Sequence, residues 1–138
     1  MKLQIKKMSM VLVLLTILGT GKASAQFASS TYNLNNGLSC TITVFMEFTS
    51  CPTPGGVYYS SSTYTVLPFS VVTIPVVAGD DAWVIVSVPG ATPSPLSPVS
   101  AAGASCVGAP TSTSGTNGCG IIANNFNVWT TSTDLHVQ

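Results

Sequence analysis

From Cys40 to Phe48 the chain alternates without a slip. Cys40, Ile42, Val44, Met46 and Phe48 fall on one side, and Thr41, Thr43, Phe45 and Glu47 on the other. Successive side chains of a β-strand point to opposite faces, so this run predicts a long strand with one buried and one mostly polar face. Beyond residue 25, apolar residues nowhere recur at the i, i+3, i+4, i+7 spacing of an amphipathic helix. The expected fold class is therefore all-β.

Further extended segments are expected at Ser30–Leu34, Thr63–Leu67, Val71–Val77, Ala82–Val88, Ile121–Ala123, Asn127–Thr131 and Leu135–Val137. Asn35-Asn36-Gly37 reads as the turn that closes the first of these. Val71 to Val88 reads as a β-hairpin around Ala78-Gly79-Asp80-Asp81. Pro75 has no backbone donor, which places it at a sheet edge or a bulge. Residues 89–120 change character: Pro, Gly, Ser and Thr dominate, and the segment is read as an insert that Cys106 and Cys119 hold in place. The expected architecture is a single antiparallel β-sandwich of about seven short strands with disulfide bonds.

The amino terminus has a separate purpose. Lys2, Lys6 and Lys7 precede a 12-residue apolar run, Met8–Gly19, and Ala23-Ser24-Ala25 follows with small residues where a signal peptidase cuts. Twelve apolar residues fall short of the roughly 18 to 20 that span a bilayer. Residues 1–25 are thus expected to be a cleaved signal peptide and residues 26–138 the exported domain, whether extracellular, on the cell surface or periplasmic. The charge balance then changes meaning. The whole chain has four basic and four acidic residues, but every Lys lies within the first 25; after cleavage only Glu47, Asp80, Asp81 and Asp134 remain. A domain without cations cannot neutralise phosphates, which excludes nucleic acid and anionic membrane surfaces as partners.

Cys40, Cys51, Cys106 and Cys119 in an exported chain are expected to form two disulfides, since their wide spacing does not match the close pairs of a zinc site. If Cys40 to Thr49 is extended, its ends lie roughly 30 Å apart at about 3.3 Å per residue. A disulfide needs Cα atoms about 4.4–6.8 Å apart, so a Cys40–Cys51 bridge would break the best strand. Crossed pairing is favoured, with Cys40–Cys119 and Cys40–Cys106 both open.

Catalysis finds little footing. The only histidine, His136, is two residues from Asp134 near the carboxyl terminus, whereas a Ser–His–Asp triad draws its base and orienting carboxylate from separate elements. A solvated tail is the expected reading of that segment. Asp80 and Asp81 share a turn, but the ligand series of a calcium loop is missing. No catalytic residue, metal or cofactor is expected, and the chain is read as a non-enzyme.

Two binding readings remain. The missing cations favour the first: β proteins guard their sheet edges with Lys, other charges, Pro or bulges, and here only Pro75 stands in a strand as a guard. Self-association through β edges, and a structural or adhesive role, follow. The second is a carbohydrate-binding module for neutral glycans, using the aromatic residues Tyr58, Tyr59, Trp83 and Trp129. Tyr58 and Tyr59 are expected in an exposed loop, and the two tryptophans either in the core or on the surface.

The leader ending Ala-Ser-Ala-Gln, then Tyr32-Asn33-Leu34-Asn35-Asn36 and Cys40-Thr41-Ile42-Thr43-Val44, resembles small uncharacterised secreted β-sandwich proteins of Bacteroidetes-type bacteria. The resemblance covers about residues 1–90. It implies a Gram-negative envelope or extracellular setting and carries neither an activity nor functional residues.

Overall fold

A computed structural model describes residues 26–51, 56–101 and 108–138. The expected leader at 1–25 and Cys106 lie outside the described residues. Within them run nine strands: β1 Thr31–Asn36, β2 Ile42–Ser50, β3 Val57–Val66, β4 Ser70–Pro75, β5 Asp81–Ser87, β6 Val99–Ser100, β7 Ser112–Thr116, β8 Asn125–Thr130 and β9 Asp134–Val137. They form a five-stranded sheet in the order β4-β1-β9-β8-β7 and a four-stranded sheet in the order β3-β2-β5-β6. All pairs are antiparallel except β1 with β9, which run parallel. The sheets pack as a sandwich.

The alternation that predicted β2 sets the core. Ile42, Val44, Met46 and Phe48 point inward, joined by Ala82, Val84 and Val86 of β5. The five-stranded sheet answers with Tyr32, Leu34, Ile74, Phe126, Val128, Leu135 and Val137. The buried Tyr32 hydroxyl donates to the Ala101 carbonyl, and burial pushes its pKa well above the usual phenol range. Phe126 lies against two glycines: a Cβ at Gly115 would come within 2.6 Å of its ring and one at Gly118 within 2.8 Å. Only a residue with no side chain fits there.

Several expectations are corrected. Val71–Val88 is no hairpin: β4 pairs with β1 in one sheet, and β5 pairs with β2 and β6 in the other. The amino-terminal segment captures the connection between them, because Phe27 N–H donates to Asp80 O, Gly79 N–H to Phe27 O and Val76 N–H to Ser30 O. Asn35-Asn36 is not a turn but the end of β1. Buried Asn36 joins the two sheets. Its Nδ2 donates to the carbonyls of Cys40 (2.8 Å), Val66 (3.1 Å) and Leu67 (2.9 Å), and its Oδ1 accepts from Leu38 N–H (3.0 Å). Ile121–Ala123 is a turn instead of a strand, while β6 and β7 arise inside the 89–120 segment, giving nine strands where about seven were expected. The carboxyl terminus is no tail either, since β9 lies between β1 and β8.

Pro75 stands where the sequence placed it, on the edge strand β4. Of the crossed pairings, Cys40–Cys119 forms, with Cα atoms 5.3 Å apart across 79 residues of sequence. It links the β1–β2 connection to a 3-10 turn at Gly118–Gly120. Cys51 is also in a disulfide. Such bonds are compatible with an extracellular or periplasmic protein. No helix among the described residues is long and apolar enough to cross a membrane.

Candidate functional site

The four candidate aromatics do not converge. Tyr58 and Tyr59 are not in a loop but in β3, at the edge of the four-stranded sheet, 45% and 50% exposed. Trp83 sits half-buried on β5, in register with Glu47 of β2 and Ser100 of β6. Its alternation with buried Ala82 and Val84 places it on the outward face of that sheet. Trp129 is half-buried on β8, in register with His136, on the outward face of the opposite sheet. Its ring stacks on the imidazole, centroids 4.9 Å apart and planes 13° apart. One face of each ring is thereby covered. The tryptophans thus belong to neither the core nor a shared platform.

Charged groups are dispersed as well. The Asp134 carboxylate accepts from Thr133 Oγ1 (2.5 Å), Asn33 Nδ2 (2.9 Å) and, more weakly, Asn35 Nδ2 (3.5 Å). The Thr133 hydroxyl is the main reason its pKa lies below the usual carboxylate range. Thr73 extends this ladder by donating to Asn33 Oδ1. Asp80 and Asp81, neighbours in sequence, diverge. Asp80 accepts from the Tyr59 hydroxyl at 3.0 Å, while Asp81 is fully buried, accepting from Ser100 Oγ at 2.8 Å and Ala82 N–H at 2.7 Å. Among the described residues no group of three His, Cys, Asp or Glu side chains stands close enough to hold a metal ion.

What the fold does concentrate is apolar surface beside an open strand edge. Val57, Tyr58 and Tyr59 of β3 are exposed, as are Leu67 and Phe69 in the β3–β4 connection, Val71 of β4 and Val77 just after it. Among the described residues the other exposed large hydrophobics are Ile121 and Ile122. The clustering has a structural cause. β3 and β4 are edge strands of different sheets on the same side of the sandwich, and no ladder joins them. On β3 the inward positions opposite Phe48 and Met46 are Ser60 and Ser62, too small to close the gap. A groove of about 310 Å³ opens there, lined by Phe48, Tyr59, Ser62, Tyr64, Pro75 and Val76 among others. Tyr59 stacks over Phe48 at its mouth, 6.4 Å between centroids.

The opposite side of the sandwich is closed. Ser100 N–H donates to Pro110 O, Thr130 N–H to Thr111 O, and the Thr130 hydroxyl to Ser100 O. Ser100 of β6, Pro110, Thr111 and Thr130 of β8 thus tie the two sheets together on that side, while β3 is bare among the described residues. Sequence reasoning anticipated an unguarded edge without locating it. It missed the groove, whose only signal is the Ser60-Ser61-Ser62 run within an otherwise β-prone segment.

No family model, curated protein or solved structure matches the chain.

Proposed function

We propose that this chain is an exported, non-catalytic domain of the envelope or extracellular space, acting in structural or adhesive assembly by strand addition to β3. One observation carries the reading: β3 is a ten-residue edge strand with no charged residue, bordering an apolar groove. An open edge offers a row of backbone donors and acceptors, and an added strand gains affinity from them and specificity from the pockets beside them. Pro75 on β4 makes that neighbouring edge the poorer template. The disulfides, the leader sequence and the absence of cations after residue 25 fit an exported product. The glycan-binding alternative has less support, because Tyr58 and Tyr59 lie at a sheet edge and Trp83 and Trp129 on two opposed faces, so the four candidates form no single platform.

The test is sedimentation velocity and negative-stain imaging of residues 26–138, beside a variant carrying Ser61→Lys and Thr65→Lys. Both positions are exposed, so the variant keeps its fold, and melting curves check that. Concentration-dependent assembly of the parent, lost in the variant, supports the proposal. A parent that stays monomeric and is retained on glycan arrays refutes it.

A further inference from the structure

We infer that the strand β3 accepts is β3 of a second copy, paired antiparallel about a two-fold axis through Thr63; the inference rests on the strand-addition reading above. Charge is the first argument. β3 has no ionisable group except the phenols of Tyr58, Tyr59 and Tyr64, and the chain beyond residue 25 is purely acidic. Both copies carry the same carboxylates, but none lies on β3, so pairing β3 with β3 sets no like charges face to face in the seam, whereas an acid-bearing strand would meet the domain's negative field there.

Geometry selects the register. A two-fold axis normal to a sheet keeps inward residues inward, so paired positions must have the same facing. The ladder with β2 is irregular between Phe48 and Thr49, which leaves Tyr59 without a direct partner and makes Ser60–Val66 the regular part of β3. An axis through Thr63 is the one register that pairs all seven regular residues. On the outward face Thr63 meets Thr63 of the second copy, and Ser61 meets its Thr65. These are hydroxyl pairs of the kind that stabilise antiparallel neighbours. On the inward face Ser62 meets the second copy's Tyr64, and Ser60 its Val66. Large thus stands beside small, and the second copy's ring lies over the groove that Ser62 leaves open.

The interface is isologous and uses up the edge it needs, so assembly through it stops at two copies. The four-stranded sheets become one sheet of eight strands. Larger assemblies would need another surface.

The on-axis residue gives the test. Thr63 is exposed, and Thr63→Lys or Thr63→Glu sets two like charges face to face across the axis. Each variant alone is expected to dimerise about tenfold or more weakly than the parent in sedimentation velocity, and an equimolar mixture to recover a 1:1 dimer through a Lys–Glu pair. Single variants that dimerise as the parent does, or a mixture that stays monomeric, overturn the register. If Ser61→Lys with Thr65→Lys still dissociates the parent's assemblies in that event, strand addition survives and only the axis is wrong. A parent that never dimerises overturns this inference outright.

Discussion

Removing the Asn36 side chain should cost the domain a large part of its stability. The amide is 2% exposed and lies among three carbonyl oxygens and one backbone N–H. Its two Nδ2 hydrogens serve the three carbonyls, and Oδ1 serves Leu38, so roughly three hydrogen bonds of about 1 kcal/mol each vanish in Asn36→Ala. Leu38 is itself only 8% exposed, so its N–H loses its partner out of reach of water, adding about another 1 kcal/mol. The total of about 3–4 kcal/mol is a substantial fraction of the roughly 5–15 kcal/mol that holds such a domain. With a urea slope near 2 kcal/mol/M, the midpoint should fall by about 1.5–2 M, read from tryptophan fluorescence. Asn36→Asp keeps the shape but turns both donors into an oxygen facing three carbonyls, and should lose more. A loss below about 1 kcal/mol for Asn36→Ala, or parental stability for Asn36→Asp, would show that this residue does not tie the sheets together.

Other expectations concern the core, the bridges and pH. Gly115→Ala drives a Cβ into the Phe126 ring and Leu96 Cδ2 (2.8 Å), and calorimetry should register a loss of about 1–3 kcal/mol; an unchanged melting temperature contradicts the close packing. Peptic mapping without reductant should recover Cys40 linked to Cys119, trypsin being useless on a chain with no Lys or Arg after residue 25; a Cys40–Cys51 peptide would contradict the fold. Burial raises the Tyr59 pKa to about 12, assisted by the hydrogen bond to Asp80 and by that residue's charge. Because the folded value lies above the ordinary one near 10, this contribution to stability is complete below about pH 10 and lost as pH rises through about 12. Tyrosinate absorbance should show two late-titrating phenols, Tyr32 and Tyr59, of which only the Tyr59 one moves down in Asp80→Asn; no movement would mean that the carboxylate does not hold it.

Strand β2 was legible because its buried face is an unbroken run of Ile, Val, Met and Phe, and alternation of that quality has one reading. Pro75 was legible because a missing donor excludes the middle of a sheet. The supposed hairpin failed for a physical reason: period two reports that Val71–Val77 and Ala82–Val88 are strands, but not which sheet each joins. Here Phe27, far away in sequence, takes the hydrogen bonds a hairpin turn would have used. β7, Ser-Thr-Ser-Gly-Thr, was invisible because of its two inward positions one is the polar Thr113 and the other, Gly115, yields its space to Phe126 from β8. Asn36 looked like a turn residue by type, and its partners are set by tertiary structure alone. At the candidate site, composition showed that some edge lacked guards; only topology showed that β3 is that edge and that it borders a groove.

Amide hydrogen exchange on β3, followed as residues 26–138 are concentrated, reports whether this edge accepts a strand. In dilute solution the outward-facing amides of Ser60–Val66 should exchange fast, since edge groups bond only to water. On concentration they should become protected together, while β4 and the Trp129 face stay as they were. Exchange on β3 that never changes with concentration, or protection that appears only around Trp129 when a neutral glycan is added, would show that β3 is not an assembling edge.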